Sequence, residues 1–89
     1  MANVVDLALC AEARRALLRV LSHRGLGFFV KPGGRAPRLD SRRIAWVVEV
    51  ARRRSHRRRA DPDGLARTRR VVRRELIRRL ADELVRASS

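Results

Sequence analysis

The sequence predicts one small, mainly α-helical (all-α) domain of three helices, with a Gly/Pro-rich loop or a small β-hairpin between helices 1 and 2. Three observations support this fold class. The chain of 89 residues has the length of a single domain. Alanine, leucine and arginine, which favour helices, are its most frequent residues. Apolar residues recur at helical spacing in three segments, and glycine- or proline-containing breaks separate these segments.

The first predicted helix covers residues 4–23. Asn3 is a suitable N-cap, and Gly25 is expected to end the helix with a left-handed backbone conformation. The apolar residues of this segment share one broad face of the helix, so we expect that face to be buried. These residues are Val5, Leu9, Ala13, Ala16, Leu17, Val20 and Leu21.

Residues 25–40 contain four of the five glycines and two of the three prolines, and this composition excludes a helix. Phe28 to Val30 is predicted to be a short extended piece, followed by a turn over residues 31–34. The chain can return over residues 35–39 to close a small hairpin. Pro37 would restrict the returning strand to a sheet edge because proline has no backbone N–H.

The second predicted helix covers residues 42–59 and the third covers residues 62–87. Asp40 or Ser41 can cap the second helix, and Asp61 followed by Pro62 is a specific start signal for the third. The apolar stripe of the second helix is Ile44, Val47, Val48 and Ala51, with Ser55 at its end. The stripe of the third helix is Leu65, Val72, Leu76 and Leu80, and it drifts toward Ile77 and Leu84.

The chain is strongly basic, with 23 basic and 9 acidic residues and a formal net charge of +14. All the basic residues except Lys31 are arginines, whose planar guanidinium groups match the geometry of phosphate. A GC-rich gene or an overlapping reading frame is an equally good explanation of the arginine-to-lysine ratio. Neither explains the net charge, because codon bias does not remove carboxylates. The charge therefore indicates a polyanionic partner.

The densest basic segment places six arginines in eight positions at the end of the second helix. They are Arg52, Arg53, Arg54, Arg57, Arg58 and Arg59. Like charges at i,i+4 destabilise an isolated helix, and phosphates of DNA or RNA would supply the missing countercharge. The alternative is a solvated helix end that is compensated by salt and by Asp61 and Asp63. Further basic residues expected at the same interface are Arg42, Arg43, Lys31 and Arg35.

A second basic feature is a row of four arginines on the third helix, Arg67, Arg70, Arg74 and Arg78, which we call the α3 arginine row. Spacings of three and four residues place them on one face opposite the leucines, over about 16 Å. Such a row can contact several phosphates. The alternative is an ordinary solvated face, but those faces usually alternate in sign and this row is expected to carry no acidic residue.

Trp46 lies on the side of the second helix that is opposite its apolar stripe. Arg42, Arg43 and Arg53 flank it on the helix, so it can stack on an unpaired nucleobase. Alternatively, it packs together with Val50 on Phe28 and Phe29, or on a second subunit.

The sequence does not indicate an enzyme, a metal site or a cofactor. Cys10 is the only cysteine, which excludes an intramolecular disulfide and CxxC metal ligation. Ser22–His23 and Ser55–His56 are sequence neighbours that point about 100° apart on a helix, so neither forms a nucleophile–base pair. No apolar stretch reaches the ~20 residues of a membrane span. The acidic residues near the start of the chain argue against a mitochondrial transit peptide, because such peptides contain few acidic residues.

Two functions remain from the sequence. The first is a nucleic-acid-binding accessory or architectural protein that acts on DNA or RNA in the cytoplasm or nucleoid. It would act alone, as a homodimer or within a larger nucleoprotein assembly. It would contact backbone and shape more than sequence, because Asn3 is the only amide side chain suited to reading base edges. The alternative is a protein-interaction or assembly module whose basic surface docks an acidic partner.

Overall fold

The computed structural model describes residues 4–55 and 62–88, with only the backbone of residues 4–6 included. It contains three α-helices, α1 (Val4–Arg24), α2 (Ser41–Arg54) and α3 (Pro62–Ser88). Between α1 and α2 lie a short 3-10 helix (Leu26–Phe29) and two strands, β1 (Val30–Lys31) and β2 (Arg38–Leu39). The strands pair antiparallel, with Val30 opposite Leu39 and Lys31 opposite Arg38. The predicted fold class of a mainly helical, three-helix domain with a small hairpin is confirmed.

The helices pack as a bundle in which α2 runs antiparallel to both neighbours. Phe28, just past the end of α1, contacts Arg43 and Trp46 near the start of α2. Arg73, in the middle of α3, donates a hydrogen bond of 2.8 Å to the hydroxyl of Ser41, the first residue of α2. The start of α3 therefore lies beside the end of α2.

The core is built from the predicted helical stripes together with one aromatic ring from the 3-10 helix. Its buried apolar residues are Leu9, Ala13, Ala16, Leu17, Phe29, Ile44, Val47, Val48, Ala51, Val72 and Leu76. The buried hydroxyl of Thr68 donates to the carbonyl of Gly64 at 2.8 Å and lies 3.6 Å from the sulfur of Cys10. Among the described residues, no buried side-chain nitrogen or oxygen lacks a hydrogen-bond partner. Cys10 and Thr68 therefore serve packing between α1 and α3.

Some of the helix ends lie where the capping and stop residues in the sequence predict them. Asp40 is the N-cap of α2, and its carboxylate accepts hydrogen bonds from the backbone N–H groups of Arg42 (3.0 Å) and Arg43 (3.3 Å). Gly25 ends α1 with a φ of 78°, which a glycine adopts without the strain that a Cβ would add. The α2 helix ends at Arg54 with Ser55 as its C-cap, before the predicted end at residue 59. Asn3 and Asp61 lie outside the described residues.

Two expectations about the apolar segments need correction. Phe28 and Phe29 lie in a 3-10 helix and are not extended, because this turn carries Phe29 into the core while Gly25 redirects the chain. In α3, the drift of the stripe carries Ile77 and Leu84 out of the core, and their side chains are exposed. Residues 81–88 are exposed throughout, since α1 and α2 do not extend alongside them. The last two turns of α3 therefore project from the bundle.

Candidate nucleic-acid interface

The α3 arginine row lies on the outer face of the third helix. All four of its side chains are exposed, whereas Thr68, Val72 and Leu76 on the opposite face are fully buried against the bundle. The same 3.6-residue period that buries the apolar stripe therefore directs the arginines to solvent. The row extends about 16 Å along the helix axis, a length over which B-DNA carries roughly nine negative charges.

An acidic residue beside the row, Glu75, pairs with the last arginine of the row. The carboxylate of Glu75 accepts hydrogen bonds from Arg78 at 2.7 Å and from Arg79 at 3.3 Å. The hydrogen bond from Arg78 is the largest cause that lowers the pKa of Glu75, so the carboxylate stays charged at neutral pH. In contrast, Arg70 and Arg74 form no ion pair with any residue that the structure describes. The middle of the row is its uncompensated part.

Two of the three described arginines at the end of α2 share an acidic partner. Arg52 donates to both carboxylate oxygens of Glu49, and Arg53 lies 3.5 Å from the same group. The hydrogen bond from Arg52 is the main cause that lowers the pKa of Glu49, and it raises the pKa of Arg52 in turn. Arginines in a last helical turn also interact favourably with the helix dipole. Arg57, Arg58 and Arg59 lie outside the described residues.

The described arginines of α2 and α3 do not form one continuous surface. Arg54 lies in a groove on the α1 side of α2. Arg52 lies on the flank that faces α3, because it follows Ser41 by three helical turns and Ser41 is bonded to Arg73 of α3. The α3 arginine row lies mostly on the outer side of α3, although Arg78 at its end also lines a groove with Arg14, Leu17 and Leu18 of α1. In a three-helix bundle, the α1–α2 groove and the outer face of α3 are on opposite sides.

Arg43, at the start of α2, is held in place by contacts within the chain. Its guanidinium donates to the carbonyl of Phe28 at 2.6 Å and lies 4.1 Å from the centre of the Phe28 ring. It also lies 3.7 Å from the carboxylate of Asp40. These contacts fix the 3-10 helix against α2, so Arg43 acts mainly as a structural residue. Arg42, one position earlier, is exposed, and its side chain has no ion pair within the described part of the chain.

The hairpin carries an exposed basic group of three residues. Lys31 and Arg38 face each other across the strands, and Arg35 lies in the connecting loop. Like charges directly opposite on a hairpin are destabilising, so an anion bound there would relieve the repulsion. Gly33 and Gly34 have φ values of 92° and 89°, and these positive values make the tight reversal possible. Arg38 was not among the predicted site residues, although its place in the same basic loop was visible in the sequence.

Trp46 packs on Phe28, which is one of the two arrangements considered from the sequence. Its ring packs edge-on against Phe28, with ring centres 6.0 Å apart, and Phe28 packs in turn on the buried Phe29 at 5.2 Å. Nevertheless, 49% of Trp46 remains exposed. It forms one wall of a groove between α1 and α2, which we call the Trp46 groove, with a volume of about 280 Å³. The groove is lined by Ala16, Arg19, Val20, Trp46, Val47, Val50 and Arg54.

A second groove, which we call the terminal groove, lies between the hairpin and the projecting end of α3. It has a volume of about 550 Å³ and is lined by Pro37, Arg38, Leu39, Arg73, Ile77, Leu80, Ala81 and Leu84. Most of its lining residues are apolar, and its two basic residues are Arg38 and Arg73. The drift of the α3 stripe toward Ile77 and Leu84 was the sequence signal for this surface.

The described residues contain no cluster of three or more His, Cys, Asp or Glu side chains that could hold a metal ion. Within the same residues, no helix combines the length and apolar character that a bilayer crossing requires. Comparison of the chain with protein-family models, with curated proteins and with solved structures finds no match.

Proposed function

We propose that this protein is a nucleic-acid-binding accessory or architectural protein that contacts the phosphate backbone of DNA or RNA through the outer face of α3. The observation that carries the proposal is the α3 arginine row. Arg70 and Arg74 are exposed on a rigid helix, point away from the core and have no acidic partner among the described residues. Exposed arginines on a helix face can follow phosphates along a nucleic-acid backbone.

The electrostatics of the row favour an anionic ligand. Like charges at i,i+4, such as Arg70 and Arg74, destabilise a helix by about 0.2–0.5 kcal/mol per pair. Arg69 and Arg73 repeat this spacing one residue earlier, on the flank of the row. Binding of a polyphosphate would replace this repulsion by attraction and would release the counterions condensed on the nucleic acid. The proposal thus accounts for a charge arrangement that folding alone does not require.

Binding by this face is expected to depend on backbone and shape more than on base sequence. Guanidinium groups in a row provide fork-shaped donors for phosphate oxygens, whereas the chain has a single asparagine and no glutamine for reading adenine. Duplex and single-stranded nucleic acids of unrelated sequence should therefore bind with similar affinities through α3.

The test is to titrate labelled DNA and RNA duplexes with the purified protein at several salt concentrations. We expect the logarithm of the association constant to fall linearly with the logarithm of salt, with a slope of about −0.9 for each phosphate contacted. The protein should also lose co-purifying nucleic acid, seen as the 260/280 nm absorbance ratio, after a high-salt wash. Affinity that hardly changes with salt would overturn the proposal.

The terminal groove favours a second candidate function, docking of an acidic amphipathic helix from a protein partner. Ile77 and Leu84 are 54% and 63% exposed, which leaves apolar surface unpartnered in this groove. Arg38 and Arg73 line the same groove and would pair with carboxylates of the partner. A second copy of this chain fits less well, because each copy carries a formal net charge of +14.

Two synthetic helical peptides of equal length test this second function, one with glutamates and one with lysines around the same leucine stripe. The glutamate peptide should bind the wild-type protein, and Ile77→Ser combined with Leu84→Ser should abolish that binding. The same double variant should bind duplex DNA as the wild type does. Equal binding of both peptides, or a stable dimer in sedimentation equilibrium, would contradict the acidic-helix assignment.

A further inference from the structure

The Trp46 groove has the composition of a site for one planar, uncharged group flanked by anions. Trp46 is half exposed, and Ala16, Val20 and Val50 provide its apolar lining. Arg19 and Arg54 stand among these apolar residues in the same groove. A nucleobase with its neighbouring phosphates presents this combination of a flat π surface and negative charge.

The indole ring of Trp46 is oriented before any ligand binds. Phe28 supports its edge, and Phe28 is itself anchored by Phe29 in the core and by the guanidinium of Arg43. Arg24 adds a second cation 5.8 Å from the centre of the Phe28 ring. An aromatic side chain that is already ordered loses little conformational entropy when a ligand stacks on it. Because neighbouring rings hold Trp46 in place, its exposed surface is suited to stacking with a ligand.

The charges of the groove are partly available to a ligand. Arg54 forms no ion pair with any residue in the described part of the chain, whereas Arg19 lies 3.7 Å from Glu12 and shares that carboxylate with Arg15. Arg54 is thus the stronger candidate for a phosphate contact. The terminal groove lacks an aromatic side chain, so the two grooves differ in the ligands that they suit.

We infer that the Trp46 groove binds an unpaired nucleobase of single-stranded nucleic acid, with the base stacked on Trp46 and an adjacent phosphate at Arg54. This inference rests on the proposed nucleic-acid binding and adds a preference between its ligands. The α3 arginine row, on the opposite side of the bundle, accepts single strands and duplexes alike. The groove accepts only a base that is free of its pairing partner, because the faces of paired bases are covered by stacking within a duplex.

Trp46 is the only tryptophan of the chain, so its fluorescence reports directly on the groove. Three probes of equal length distinguish the contacts: a thymidine single strand, the same backbone with abasic positions, and a duplex. We expect the thymidine strand to quench the emission of the wild-type protein at saturation. The abasic strand and the duplex should bind without comparable quenching.

Variants give an independent measurement by the anisotropy of labelled probes. Trp46→Ala should weaken binding of the thymidine strand about five- to hundredfold and leave duplex binding unchanged, whereas Trp46→Phe should retain most of the affinity. Leu18→Ala is the matched control, because Leu18 is also a half-exposed apolar residue, at 51%, but lies outside the groove. Thermal unfolding of each variant checks that the bundle is intact.

The outcomes separate this inference from the proposed function. If all three probes bind with equal quenching, or if the thymidine strand binds without quenching and Trp46→Ala binds it as tightly as wild type, the base site is wrong and backbone binding stands. If no probe binds at any salt concentration, the proposed function fails and the base site fails with it.

Discussion

The arginines of α2 and those of α3 differ in what surrounds them. At the end of α2, Glu49 lies one helical turn before Arg52 and Arg53 and binds both of them. On α3, Glu75 binds Arg78 and Arg79, but Arg70 and Arg74 have no acidic partner among the described residues. In the denser arginine cluster of the sequence, two of the three described side chains thus share an acid, whereas the middle of the α3 arginine row has none that the structure describes. The spacing of arginines relative to acids matters more than their number.

Removing two arginines from each helix in turn should affect binding very differently in α2 and α3. Arg70→Ala with Arg74→Ala should weaken duplex binding on the order of fiftyfold at about 0.1 M salt, since two phosphate contacts are lost. Arg52→Ala with Arg53→Ala removes the same charge from an acid-paired site and should weaken binding by less than about fivefold. Anisotropy titrations with one labelled duplex measure both. Equal losses would mean that net charge alone determines affinity.

Removing the acid that pairs with the α3 arginines should have the opposite effect and increase binding. Glu75→Gln should raise duplex affinity up to about eightfold at about 0.1 M salt, because Arg78 becomes available for one further phosphate contact. Glu12→Gln is the matched control, since it also removes a carboxylate that pairs two arginines, Arg15 and Arg19, but on α1. An equal gain in the control would show that the position of the charge is unimportant.

Replacing the acidic residue at the start of each helix should also destabilise the protein to different extents in α2 and α3. Asp40→Ala removes the N-cap of α2, whose carboxylate accepts two backbone hydrogen bonds, and should lower the free energy of unfolding by about 1 kcal/mol. Asp63→Ala, in the first turn of α3, removes only a favourable interaction with the helix dipole and should cost about 0.3 kcal/mol. Urea unfolding followed by circular dichroism measures both; the reverse order would contradict the capping assignment.

The smallest expected effect is on the pH dependence of stability. Glu49 and Glu75 have pKa values below 4.5 in the folded protein, because arginines donate hydrogen bonds to their charged forms. Their stabilisation is therefore complete above about pH 4.5 and is lost as pH falls through the lowered pKa values. The melting temperature should fall slightly between about pH 5 and pH 3. Glu49→Gln with Glu75→Gln should reduce that fall, whereas an unchanged fall would show that these ion pairs contribute nothing.

The sequence predicted the parts of the fold that depend on period and on local signals. The buried stripe of Ile44, Val47, Val48 and Ala51 follows from 3.6-residue spacing, and the cap at Asp40 follows from side-chain chemistry. Gly25 likewise ends α1 as predicted, because a positive φ favours glycine.

The parts that the sequence could not predict depend on contacts between elements. The 3-10 helix forms because Phe29 reaches the core, which a local pattern of apolar residues does not reveal. The hydrogen bond from Arg43 to the carbonyl of Phe28 depends on a contact between elements that the sequence does not reveal. The exposure of Ile77 and Leu84 depends on which face of α3 the neighbouring elements cover. The pairing of Arg78 with Glu75 depends on side-chain conformations that spacing permits but does not dictate.

The central claim is that phosphates bind the outer face of α3. The most direct measurement is a nuclear magnetic resonance titration of the isotope-labelled protein with a short duplex, following the backbone amide and guanidinium Nε–H signals. We predict that the largest shifts occur at Arg70 and Arg74, and that Arg52 and the core residue Val48 hardly move. Shifts concentrated at Arg52 or around the terminal groove, with Arg70 and Arg74 unchanged, would contradict the claim.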